Sequence, residues 1–225
     1  MKAFAVVLLC LFALQVRSTF ALSSSYPWTV EVQIDVGLHF CGGSLIDKDW
    51  VLTAAHCIKN SNSITLGVGL VNATVSTPLF QLAIGAVYIH PDFNETTGAN
   101  DIGLIKLKTS IININFFILP VKLPIIGSTI PSSGQFCGYG VSTNSSTPGL
   151  TLKCFDVNIT VAVGGLLTGS SNVGFVTQLD IGGGLVSNGT QIGVLISVPL
   201  GLNIKVATFL NLIPFTSWIK DKIGH

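Results

Sequence analysis

His56 and Asp101 are the residues best placed by type to do proton chemistry. His56 sits in Thr53-Ala54-Ala55-His56-Cys57, directly after the apolar run Trp50-Val51-Leu52, and Cys41 precedes Cys57 by sixteen residues. An imidazole is a general base near neutral pH when its backbone is fixed within hydrogen-bond reach of a nucleophile. A disulfide closing the 41–57 loop would fix it. Asp101 opens Asp101-Ile102-Gly103-Leu104-Ile105-Lys106-Leu107, a carboxylate at the start of an apolar strand. Such an Asp is commonly a turn residue, and it can also orient an imidazole. Taken singly, neither residue declares a catalyst: a His beside a Cys is more often structural.

The elements that must carry these residues are β-strands. Short β-rich runs recur at Trp28–Ile34, Ile64–Val71, Gln81–His90, Ile102–Leu107, Phe155–Val163 and Gln191–Val198. Turn residues punctuate them at Asn60–Asn62, Pro91–Gly98 and Pro131–Gly134. Only the end differs. Pro214, Phe215, Trp218, Ile219 and Ile223 recur at helical spacing, with Lys220 and Lys222 where cations suit a helix C-terminus. The pattern predicts an all-β chain closing on a short helix, without repeats or a linker long enough to separate independent domains.

With 225 residues the chain can bury a sizeable core, and 48% hydrophobic residues exclude a disordered one. Eleven Lys plus Arg against ten Asp plus Glu leave +1, so no basic run exists to neutralise phosphates and nucleic acid is not an expected partner. Lys2 precedes an apolar run from Ala3 to Leu14, too short to span a bilayer and right for a signal peptide. Cleavage is expected after Ser18 or Ala21, leaving a secreted domain over 22–225. The uncharged stretch Ile181–Ile204 is interrupted by Ser, Asn, Gln, Pro and several Gly, which predicts strands and turns and no membrane span.

Secretion changes the meaning of the remaining polar residues. Without Cys10, four cysteines remain, Cys41, Cys57, Cys137 and Cys154, and two disulfides are expected in an oxidising compartment. Spacing alone leaves three pairings open. Asn72, Asn94, Asn144, Asn158 and Asn188 each begin an Asn-x-Ser/Thr sequence. Glycans on some of them would hydrate a surface that only 9% charged residues cannot cover. Four scattered histidines, His39, His56, His90 and His225, lack metal-ligand spacing, so no metal and no cofactor is expected.

Taken together, His39-Phe40-Cys41-Gly42-Gly43-Ser44-Leu45-Ile46, Trp50 through Cys57, and Asp101 through Leu107 closely resemble the trypsin/chymotrypsin family of serine proteases in letters, order and spacing. The resemblance runs from about Tyr26 to Ile223 and is weaker in the second half. It implies two antiparallel Greek-key β-barrels, about 26–118 and 119–208, with a C-terminal helix at about 212–223. His56 takes the place of the family's base and Asp101 that of its orienting carboxylate. The resemblance also pairs Cys41 with Cys57, and Cys137 with Cys154 across neighbouring strands.

The family's nucleophile motif aligns with Leu179-Asp180-Ile181-Gly182-Gly183-Gly184-Leu185, which puts Ile181 where the serine belongs. Leu179 replaces a glycine whose N–H serves the oxyanion. The nearest hydroxyls, on Thr177 and Ser187, lie too far along the chain to substitute simply. No Ile-Val-Gly-Gly activation segment occurs upstream of Tyr26, so Asp180 lacks the amine that the family pairs with it and is expected to find another donor, with His39 as the candidate. At the specificity pocket, Phe175 stands where trypsin-like enzymes carry an acid and Ala207 where a wall glycine stands, and Ser197, within the matching Ile196-Ser197-Val198, is the third pocket position. The resemblance thus implies a monomeric, catalytically inactive protease homologue that binds an extracellular protein. A hydrolase with residual or unorthodox activity is the alternative.

Overall fold

The computed structural model describes residues 26–34, 39–61, 63–68, 80–111, 118–138, 152–172, 176–199 and 205–224. The signal-peptide residues, Asn72, Asn144 and Phe175 lie outside them, as does the side chain of His39.

Two antiparallel sheets make up the body. The first contains β1 (Thr29–Ile34), β2 (His39–Asp47), β3 (Trp50–Thr53), β4 (Ile64–Val68), β5 (Phe80–Leu82), β6 (Ile84–Ile89) and β7 (Gly103–Leu107). Its order is β5-β4-β1-β2-β3-β7-β6, and it curls without closing. The second contains β8 (Ser133–Gly138), β9 (Lys153–Val161), β10 (Leu167–Ser170), β11 (Gly184–Ser187), β12 (Thr190–Ser197) and β13 (Val206–Asn211). These six close into a barrel in the order β10-β13-β12-β11-β8-β9. The fold class is the one expected, all-β in two lobes with a short helix at the end.

Alternation explains the strands. In β1, Val30, Val32 and Ile34 enter the core with Leu45, Leu52, Leu66 and Leu104. The four residues of β3 are all buried, as a strand covered on both faces requires. In the barrel, Phe136, Val157, Leu167, Leu185, Leu195 and Phe209 meet at the centre. The helical spacing near the end resolves into a 3-10 turn, Ile213–Phe215, tightened by Pro214, followed by α2 (Thr216–Ile223); α1 is the single turn Ala55–Ile58. Gly224 stops α2 with φ 90°, a left-handed position that glycine adopts without strain. The helix docks back on the first lobe through His90, whose ring lies 4.9 Å from that of Trp218 and 5.2 Å from that of Phe215. Among the described residues no helix is long and apolar enough to cross a membrane.

Both disulfides form, Cys41–Cys57 with Cα atoms 6.3 Å apart and Cys137–Cys154 at 4.1 Å. The second pair sits directly opposite in the β8–β9 register, where strand pairing alone brings the two residues within bridging distance.

Candidate functional site

β3 delivers its chain end to the junction between the lobes, Ala54 turns extended, and α1 begins at once. One helical turn points its residues in different directions: Ala55, Cys57 and Ile58 are buried while His56 faces outward. The Cys41 bridge ties this turn to β2. Asp101 arrives from the other side, just before β7, after Asn100 has bent the chain with φ 55°. Asp101 is 4% exposed, and its two oxygens are both used on His56. Oδ1 accepts the His56 backbone N–H at 2.9 Å, and Oδ2 lies 2.5 Å from the ring Nδ1. With the carboxylate as acceptor, Nδ1 carries the proton and Nε2 presents its lone pair outward. That is the orientation a general base needs.

The second lobe brings the 177–184 segment against this pair. Gly42 N–H donates to Ile181 O at 2.6 Å, and Gly182 N–H to Leu195 O at 2.7 Å. Gly182 has φ 93°, and a Cβ there would stand 2.3 Å from both Gly42 O and Thr53 Oγ1, so only glycine fits. Ile181 O lies 3.8 Å from Cys57 Sγ, which is itself 3.9 Å from His56 Nε2. The main chain of Ile181 and the imidazole thus both contact the Cys57 sulfur. The Ile181 side chain is 6% exposed and carries only carbon.

The backbone donors of this turn are occupied from within. Thr177 caps the 3-10 turn Gln178–Asp180: its Oγ1 accepts Leu179 N–H at 3.3 Å, and Ile181 N–H points to Gln178 O at 3.4 Å. Asp180, 1% exposed, accepts the Thr177 N–H at 2.7 Å and its hydroxyl at 3.1 Å, completing a reciprocal capping box. Asp180 thus has a donor that sequence reasoning missed. The signal was present, since Thr177-Gln178-Leu179-Asp180 is the Thr-x-x-acid pattern that favours such a box. Neither hydroxyl near Ile181 in sequence is directed at His56. Thr177 serves Asp180, and Ser187 Oγ donates to Ser133 O at 2.9 Å.

Around the specificity-pocket positions, Ser197 is exposed at the end of β12 and pairs with Thr208, while Ala207 is buried in β13 opposite Gly169. A crevice lined by Val176, Ala207, Ser170, Ser171, Phe155 and Phe209 has a volume of about 10 Å³, room for about one water. Gln178, which the sequence did not single out, donates from Nε2 to Val198 O at 3.3 Å and ties the 177–181 turn to the chain leaving β12. Among the described residues no group of three His, Cys, Asp or Glu converges as a metal site would require.

A trypsin-family match extends over residues 16–219. Trypsin-1 of Salmo salar is 33% identical over 138 residues, which cover 60% of this chain and 55% of that protein. Trypsin of Sus scrofa is 32% identical over 219 residues, covering 90% of this chain and 92% of its own. In three dimensions the chain is similar to the scabies mite inactivated protease paralogue S-I1, with a TM-score of 0.77 at 22% identity over 89% of this chain and 96% of that one. A His–Asp pair on the first lobe, a glycine-rich turn set against it by the second, and a match spanning nearly the whole sequence together place the chain in the trypsin family.

Proposed function

We propose that this chain is a secreted trypsin-family protein without protease activity, a monomer that acts by binding an extracellular protein as a regulator, decoy or cofactor. The observation that carries the reading is Ile181. The residue aligned with the family's serine carries a side chain of carbon alone, which offers no oxygen for the imidazole to activate. Loss of one member of a serine triad costs about a million-fold in kcat in measured cases, and what remains is about 10³ to 10⁴ over water. The engaged N–H groups of Leu179 and Ile181 support the same reading, because a donor already bonded inside the turn is not aimed at a developing oxyanion. The apolar leader and exposed Asn-x-Thr sequences support export, and the two disulfides agree with an oxidising compartment.

The intact His56–Asp101 pair favours a second reading, a hydrolase that recruits an unorthodox nucleophile. One experiment separates the two. The purified chain is incubated with a mixed peptide library and with a serine-directed fluorophosphonate. The binding reading expects no cleavage and no label. Labelling that disappears in His56→Ala overturns it.

A further inference from the structure

Asn94, Asn158 and Asn188 each open an Asn-x-Thr sequence and each is exposed, yet they stand in different places. Asn158 lies in β9 on the barrel wall, paired with Ser133 on one side and Ser170 on the other. Asn188 holds the tight hairpin between β11 and β12 with φ 50°. Asn94 belongs to the loop that runs from the end of β6 to Asp101. That loop is braced by its own bonds: Asn94 Oδ1 accepts from the N–H of Thr96 and of Thr97, both at 3.0 Å, and Asn100 Nδ2 donates to Asp92 O at 2.9 Å. It is also strapped to the segment carrying His56. Lys59 Nζ lies 2.6 Å from Glu95 Oε2 and 5.5 Å from the centre of the Phe93 ring. Lys59 is three residues from His56, and Asp101, which grips His56, ends the loop. Asn94 therefore belongs to a loop tied to the His56 segment at two points, through Glu95 to Lys59 and through Asp101 to His56 itself. Its Oδ1 is committed to the loop, and its Nδ2 makes no hydrogen bond among the described residues.

We propose that Asn94 carries an N-linked oligosaccharide that overhangs His56 and screens the cleft from macromolecules, so that a protein partner meets another face of the molecule. The proposal rests on the secretory reading above. The donor is a lipid-diphosphate-linked oligosaccharide of the secretory pathway. Asn94 Nδ2 bonds to the sugar C1, the C1–O bond breaks with its electron pair leaving on the lipid diphosphate, and one of the two Nδ2 protons passes to the transferring enzyme. Oδ1 is untouched by this step, so both bonds that shape the loop survive the modification. Of the three described acceptor sequences, this one is the neighbour of Glu95, through which the loop reaches the His56 segment.

The full chain is produced in a secreting eukaryotic cell and its glycopeptides are read by mass spectrometry. Accessibility of the His56 ring protons is then followed by NMR with a bulky gadolinium chelate. The comparison is Thr96→Ala, which abolishes the acceptor sequence and keeps the Asn94 Oδ1 bonds because they go to backbone N–H groups. The expected result is an occupied Asn94, one glycan lost from Thr96→Ala by gel mobility, and weaker relaxation of His56 in the glycosylated parent than in the variant. A secreted chain modified at Asn158 or Asn188 but bare at Asn94 overturns the proposal and leaves the secretory reading standing. An occupied Asn94 with equal relaxation in both proteins overturns the screening. Retention of the chain inside the cell without glycans overturns the secretory reading and this proposal with it.

Discussion

Asp180 Oδ2 sits 2.7 Å from the backbone nitrogen of Thr177, so an acid that the family resemblance pairs with a liberated amine is the far half of a four-residue capping box. The box decides where the neighbouring N–H groups point. Leu179 N–H goes back to Thr177 Oγ1 and Ile181 N–H to Gln178 O.

Ile181→Ser alone is expected to stay inert for that reason. The substitution supplies a hydroxyl at the position aligned with the family's serine, but when that hydroxyl attacks an acyl carbonyl the resulting oxyanion would face donors already bonded within the turn. One missing oxyanion donor costs about 10² to 10³ in kcat in measured cases, and here both would be withheld. No fluorophosphonate label above that of the parent is the expected outcome. Stoichiometric labelling of Ile181→Ser would show that the turn opens freely.

Thr177→Val tests the box as a structural device. The variant keeps the backbone donor to Asp180 and removes the hydroxyl that both caps Leu179 N–H and donates to Asp180. Loss of an N-cap hydroxyl costs about 1 kcal/mol. Urea denaturation should therefore show an unfolding free energy lowered by about 1 kcal/mol, through a lower midpoint at unchanged slope. A shift within about 0.5 kcal/mol, the range of an inert surface change, would mean the box holds nothing.

The residues doing the positioning were legible in the sequence and the shape of the turn was not. His56, Asp101 and the Cys41–Cys57 pairing are legible through the resemblance of the segments around them to the trypsin family, since spacing alone leaves the cysteine pairing open. Strands were read where β-branched residues alternate, and that rule hides β2 and β11. Gly42 in β2 contributes no propensity, yet a Cβ there would come within 2.8 Å of Gly183 N, and one at Gly184 within 2.5 Å of Ser44 Oγ. Glycine is used at both points because the two lobes touch there, a tertiary demand that local pattern does not carry. Pro131–Gly134 reads as a turn for the same reason, whereas β8 already begins at Ser133 and a Cβ on Gly134 would meet Val186 O at 2.8 Å.

His90 should make stability depend on pH. Burial against the aromatic rings of α2 holds its pKa below the ordinary 6.5, with the Asp92 charge acting the other way and more weakly. Its Nδ1 accepts the Asp92 N–H at 3.2 Å, which requires the neutral ring. Between the lowered folded value and 6.5 the unfolded chain binds more protons, so the free energy of unfolding falls as pH drops through that window and is level above it. His90→Phe keeps a ring against α2 and removes the titration. From pH 7.5 to 5 the parent should lose stability relative to the variant as pH falls, and a constant difference across the range would show that His90 titrates alike in both states.

Glu31 carries the opposite sign. It lies in β1, 6% exposed, with Oε2 unpaired among the described residues. Burial raises its pKa above 4.5, and a hydrogen bond from the Gln33 side chain offsets this only partly. The folded chain therefore binds more protons than the unfolded chain between 4.5 and the raised value. Stability linked to Glu31 is present below 4.5 and lost as pH rises through that window, so at neutral pH the ionised carboxylate destabilises the fold. Glu31→Gln removes the charge at nearly constant volume. The variant should be more stable than the parent at pH 7, with the gain shrinking to nothing as both are titrated below 4.5. A variant less stable at pH 7 would mean that the carboxylate, despite its burial, is held by attractions stronger than the water it gave up.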